Sequence, residues 1–114
     1  MQRESSQSYP EIPPGTLIML VLKVLSQGPL HGYAIAKRIK EMSDDVLQVE
    51  EGSLYPALQR MLLKGLVTAE WVQAAAKRRT RVYRLTPAGR KQLAAEVTEF
   101  SRVFDAIARV VQPA

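Results

Sequence analysis

The feature that most constrains this chain is a change of hydrophobic period. Apolar side chains recur at three- and four-residue steps from Leu17 to Leu62, alternate from Leu66 to Val72 and from Thr80 to Leu85, and return to helical spacing from Leu93. A period near 3.6 buries one face of a helix, and a period of two buries one face of a strand. The chain must therefore close a hairpin between helices that precede it and a helix that follows.

The stop and start signals divide it further. Thr16 can cap a first helix running through Gln27, which Gly28-Pro29 ends. Its apolar residues cover nearly the whole circumference, so it is expected to be buried on most sides. A second helix fits His31 to Met42, with Ile35, Ala36, Ile39 and Met42 inward, and Ser43-Asp44-Asp45 break it. The third should begin near Ser53, because Pro56 has no N–H to donate and suits a first turn. Gly65 ends it, and Leu54, Ala57, Leu58, Met61 and Leu62 make its inward face. The hairpin tip, Gln73 to Arg79, contains no Gly, Asn or Asp, which predicts a longer, mobile loop rather than a tight turn. Thr86 followed by Pro87 caps a last helix running to about Val111.

The expected fold class is mainly α with a small β-hairpin. At 114 residues the chain suits one domain, read as a flexible N-terminal arm over residues 1–14, a winged helix-turn-helix over 15–86 and a C-terminal dimerisation helix over 87–114. Composition closes off other classes. There is no cysteine and one histidine, so no thiolate cluster or His pair is available for a metal or redox site. Phosphate-cradling and dinucleotide glycine motifs, and any nucleophile elbow around Ser53, are missing, so neither a cofactor nor catalysis is expected. The acidic pairs Asp44/Asp45 and Glu50/Glu51 are read as complements to helix dipoles. No apolar run approaches the roughly 18 residues that span a bilayer. Residues Met1 to Pro13 resemble neither a secretory signal nor a transit peptide, so a cytoplasmic, nucleoid-associated location is expected.

Charge supplies the functional signal. The stretch Lys77 to Lys91 holds seven basic residues and no acidic one, against a net charge of +5 for the whole chain. A local excess of this kind suits a polyanion, whose condensed counterions are released as phosphates are neutralised. The order helix, helix, helix, strand, strand, helix sets a recognition helix beside a basic wing. Candidate DNA-binding residues are therefore Ser53, Tyr55, Gln59 and Arg60 on the helix, and Lys77, Arg78, Arg79 and Arg81 on the wing. Ser53 and Tyr55 suit phosphate, Gln59 suits an adenine edge, and Arg60 suits either. Ordinary solvated faces would carry the same residues, and a winged helix can equally serve as a protein–protein interaction module without specific DNA binding. RNA is less well matched, since few aromatics beyond Tyr55 are available for stacking.

The last helix carries Leu93, Val97, Phe100, Phe104, Ile107 and Val111 at steps of 4, 3, 4, 3 and 4. Such a heptad seam packs either on its own domain or against a symmetry mate; the homodimer interface is the reading adopted. Phe100 and Phe104 could also line a pore for a flat small-molecule effector.

Several strings resemble the PadR family of bacterial transcriptional regulators: Gly28-Pro29-Leu30-His31-Gly32-Tyr33, Gly52-Ser53-Leu54-Tyr55-Pro56-Ala57-Leu58, Gly65-Leu66-Val67, Trp71, and Tyr83-Arg84-Leu85-Thr86-Pro87-Ala88-Gly89-Arg90. The resemblance covers about Leu17 to Leu93 and implies a dimeric winged-helix repressor, released by small molecules in some members. It carries DNA contacts onto Ser53, Tyr55, Arg78, Arg79 and Arg81. Where the family often has a glycine before the basic wing run, this chain has Ala74-Ala75-Ala76. Compact drug-sensing members place a tryptophan in the dimer pore, whereas Trp71 lies on the first wing strand.

Overall fold

The computed structural model describes residues 9–13 and 15–113, so most of the expected N-terminal arm, residues 1–8 and 14, lies outside it. Seven elements follow in order: α1 (Thr16–Leu25), β1 (Leu30–His31), α2 (Gly32–Met42), α3 (Glu51–Leu63), β2 (Val67–Ala75), β3 (Arg78–Leu85) and α4 (Pro87–Val111). The fold is mainly helical with a small antiparallel sheet, as the hydrophobic periods predict.

The core lies where α1, α2 and α3 meet the root of the sheet. Val21, Leu22, Leu25, Ile35, Leu54, Leu58, Met61 and Val67 are almost completely buried there. Each such side chain contributes about 1.5–3 kcal/mol of apolar burial. The predicted inward face of α3 is largely this face, with Leu62 only partly buried at its edge.

Two helix starts differ from expectation. Gly15, at φ 86°, precedes α1, and Thr16 is its first residue, its hydroxyl donating to the Pro13 carbonyl at 2.7 Å. Glu50 is extended (φ −91°, ψ 149°), so α3 begins at Glu51 and Ser53 lies inside its first turn rather than capping it. Pro56 consequently sits within the helix. What it forfeits is the bond to the carbonyl four residues earlier, that of Gly52, on an exposed stretch where water can serve instead.

The sheet holds a strand that no periodicity announces. Leu30 and His31 pair with Tyr83 and Val82, giving the order β1-β3-β2. His31 then caps α2, its Nδ1 accepting from the Ala34 amide at 3.3 Å. One short segment thus ties the start of α2 to the wing. The hairpin tip also departs from expectation: strands continue to Ala75 and Arg78, leaving a two-residue turn. Lys77 takes the left-handed conformation (φ 60°) that a glycine would ordinarily supply. The register shifts between Gln73 and Ala75, so Ala74 is the extra residue of a bulge, and the Gln73 side chain donates to the Ala75 carbonyl at 2.9 Å.

The start of α4 is fixed to the root of the wing. Thr86 Oγ1 accepts from the Gly89 amide at 3.0 Å and donates to the Gly65 carbonyl at 2.7 Å. Gly89 is packed so closely that a Cβ there would collide with the Leu66 carbonyl and the Leu85 side chain. Because backbone cannot yield cheaply, Gly89→Ala is expected to destabilise the fold by about 1–3 kcal/mol. Urea unfolding of the two proteins measures this, and equal midpoints would contradict the packing described.

Candidate nucleic-acid interface

Helical geometry separates the two faces of α3. Leu54, Ala57, Leu58 and Met61 point into the core, while Ser53, Tyr55, Pro56, Gln59, Arg60 and Leu63 are exposed or lie toward the surface. At 100° per residue, Gly52, Pro56, Gln59 and Leu63 form the centre of the outer face. Tyr55 flanks it on one side, and Ser53 and Arg60 on the other. All four sequence-predicted residues of α3 therefore share its outward half, with Ser53 in the first turn, its amide donating to the Glu50 carbonyl at 3.0 Å.

Tyr55 leans toward α2. Its ring lies over Gly32, where a Cβ would come within 2.5 Å of the phenol oxygen. The absence of a side chain at Gly32 is what admits the ring. Burial, then the nearby Glu51 carboxylate and Tyr83, raise the Tyr55 phenol above its ordinary value, so it stays protonated and able to donate at neutral pH.

On the wing, Val67, Thr68, Ala69, Glu70, Trp71, Val72 and Gln73 pair in turn with Leu85, Arg84, Tyr83, Val82, Arg81, Thr80 and Arg79. Alternation gives the ribbon two different faces. One carries Trp71, Arg79, Arg81 and Tyr83. On the other, Arg84 pairs with Glu70 at 3.8 Å. Among the described residues, none of Lys77, Arg78, Arg79 and Arg81 is within salt-bridge distance of a carboxylate. Lys77, Arg78 and Arg79 are exposed and Arg81 is half-buried.

Between Tyr55 and the Trp71 face of the wing lies a concavity of about 400 Å³, floored by Gly32 and Tyr83. It brings Tyr55, Arg79 and Arg81 together. Ser53 instead faces another hollow, of about 640 Å³, lined also by Glu50 and Tyr9. Lys77 and Arg78 stand at the turn, beyond both. Sequence reasoning placed Trp71 on the wing without a role, and it missed Gly32 as the seat of Tyr55. Alternation along β2 could have set Trp71 on the face of Arg81, had the length of the turn been known.

Further from α3 and the wing, α4 carries an apolar face. Leu93 packs against the core, whereas Val97, Phe100, Phe104, Ile107 and Val111 are exposed. The Phe100 and Phe104 rings stack with centroids 5.9 Å apart. Val103 and Val110, outside the predicted seam, are exposed too and widen the face. Among the described residues α1 borders it only at Phe100 and Val103, and the rest stays exposed.

A three-helix unit with a braced recognition helix, a basic wing and a projecting C-terminal helix defines the winged helix-turn-helix class. The chain belongs to the transcriptional regulator PadR-like family, whose model matches residues 21–95. A Mycobacterium tuberculosis protein, transcriptional regulator Rv3488, is 36% identical over 91 residues, which is 80% of this chain and 78% of that one. An uncharacterized 37.1 kDa protein in a Streptomyces fradiae transposon is 44% identical over 85 residues, covering 75% of this chain, but the match spans only 23% of that longer protein. Among solved structures, a transcriptional regulator from Clostridium thermocellum superposes with a TM-score of 0.80 at 26% identity, over 86% of this chain and 95% of the other. Bacillus subtilis PadR in complex with operator DNA superposes at 0.68, also at 26% identity, over 75% of this chain and 48% of that one. Among the described residues no helix is long and apolar enough to cross a membrane.

Proposed function

We propose that this protein is a homodimeric repressor that reads an inverted-repeat operator in duplex DNA. The observation that carries the reading is the concavity that brings Tyr55 of α3 together with Arg79 and Arg81, on a wing whose four cations no carboxylate among the described residues neutralises. The operator complex of the Bacillus subtilis relative supports the same choice of partner.

In this reading the outer face of α3 enters the major groove. Gln59 presents an amide to an adenine edge, Leu63 an apolar surface to a thymine methyl, and Arg60 a fork for guanine or phosphate. Ser53 and Tyr55 donate to the backbone on either flank. The wing cations Lys77, Arg78, Arg79 and Arg81 bind phosphates of the adjoining stretch. The apolar face of α4, Leu93 apart, meets its symmetry mate, which doubles the reading head. Such a regulator works beside the chromosome, in the cytoplasm and on the nucleoid. The crevice between α1 and α4, lined by Met19, Phe100 and Val103, is where a small effector would reach the dimer seam.

Base reading and phosphate binding separate in one comparison. Gln59→Ala is expected to relax preference at particular base pairs by about 1–3 kcal/mol while leaving the salt dependence unchanged. Competition among single-base variants of a selected duplex measures it. No preference for any duplex over random competitor at physiological salt would mean that the surface serves a protein partner instead.

A further inference from the structure

The Trp71 face of the wing is built unlike the rest of the basic run. Trp71 pairs across the strands with Arg81, and the Arg79 and Arg81 guanidinium carbons lie 5.3 Å and 5.8 Å from its ring centroid. Arg81 also lies 5.9 Å from the centroid of Tyr83. Trp71 is 58% exposed, so the core does not explain a residue of this size there. Stacking occupies the faces of a guanidinium and leaves its N–H edge free for a carboxylate or phosphate.

That edge lacks an acceptor. Arg81 Nε is buried without a hydrogen-bond partner among the described residues, and none of them accepts from the terminal nitrogens of its guanidinium, which are the ones an outside acceptor can reach. No acidic side chain lines the concavity in front of it. Tyr55 closes the far side with a protonated phenol. Glu51 is close enough to act on that phenol, and it is not part of the lining. The hollow therefore gathers donors, aromatic walls and positive charge around an empty place for an acceptor.

We propose that this concavity seats one backbone phosphate of a bound duplex, with Arg81 as its anchor and Trp71 as the positioning residue that holds Arg79 and Arg81 edge-on to it. The inference rests on the duplex-binding reading above and adds to it a division of labour within the wing. Lys77 and Arg78, at the turn and beyond Trp71, follow the backbone without such support. Arg79 and Arg81 are held in advance, so less side-chain freedom is lost when the phosphate arrives.

Trp71 is the only tryptophan in the chain, so its emission reports on the seat directly. The full-length protein is titrated with a random-sequence duplex, following Trp71 emission and, in parallel, the anisotropy of labelled duplex. The emission is expected to change with the same midpoint as the anisotropy. Trp71→Leu, which stays apolar and loses the π-face, is expected to weaken binding about three- to tenfold, and Trp71→Phe to retain most of the affinity. Arg81→Lys, which keeps the charge and loses the fork, should weaken binding by about as much as Trp71→Leu. In an Arg79→Ala, Arg81→Ala background, Trp71→Leu should have no further effect. Unchanged thermal midpoints keep these variants interpretable. Wild-type affinity in Trp71→Leu, or an undiminished loss in the Arg79→Ala, Arg81→Ala background, overturns the positioning role. Failure of the unaltered protein to bind any duplex overturns the DNA reading itself.

Discussion

Replacing Phe104 with glutamate is expected to turn the proposed dimer into a folded monomer. Phe104 is 58% exposed, stacks on Phe100, and sits mid-way along the uncovered face of α4. With 25 residues, α4 is about 37 Å long, and beyond Leu93 its apolar side chains stay largely exposed, with α1 bordering only Phe100 and Val103. In a dimer a carboxylate at this position would be desolvated without a partner, at a cost of several kcal/mol per chain. In a monomer the same glutamate faces water and is a good helix former, so the fold itself is spared. Sedimentation should show the mass halved with the far-ultraviolet circular dichroism unchanged. Operator affinity should fall by about a hundredfold or more, because the second reading head no longer binds as part of the same molecule. A variant that still sediments as a stable dimer would move the interface away from α4.

The second large effect concerns the wing. Alanine at Lys77, Arg78, Arg79 and Arg81 together removes four cations that the described structure leaves unpaired. None contributes to the apolar core, so folding should persist. Affinity for every duplex should fall on the order of 10²- to 10³-fold at moderate salt. The plot of log affinity against log salt should also flatten, by about 0.9 for each phosphate that a chain no longer neutralises. These two changes together identify the wing with phosphate binding and set it apart from base reading, which the Gln59→Ala comparison isolates. An unchanged slope would mean that the wing does not touch the backbone.

Much of this architecture could be read in the sequence because each element carries its own local signal. The inward stripe of α3 is a repeating pattern, Thr86-Pro87 is a cap followed by a first-turn proline, and Val, Trp and Tyr alternate along the wing. What escaped depends on tertiary placement. Two residues, Leu30 and His31, are too few to show a period, yet they tie α2 to the wing. The tight turn went unforeseen because Lys77 supplies the left-handed residue and Ala74 the bulge, so neither glycine nor asparagine marks it. With the turn misjudged, the strand register was out of reach, and with it the placing of Trp71 beside Arg79 and Arg81. Ser53 was misplaced as a cap because Glu50 begins α3 without a side-chain bond of its own. On α4, the heptad spacing picks out Leu93 with the rest of the seam. Only the structure separates it, since Leu93 still packs on the core where the residues after it do not.

The central claim is that two copies of α3 and its wing read duplex DNA together. Selection of bound duplexes from a random pool by the full-length protein tests it most directly, because the enriched sites report both sequence preference and the geometry of the reader. The predicted result is a pair of inverted half-sites whose centres lie about one helical turn, roughly 34–36 Å, or a multiple of it, apart. Enrichment of a single half-site would contradict the paired reading heads, and no enrichment at all would contradict operator recognition.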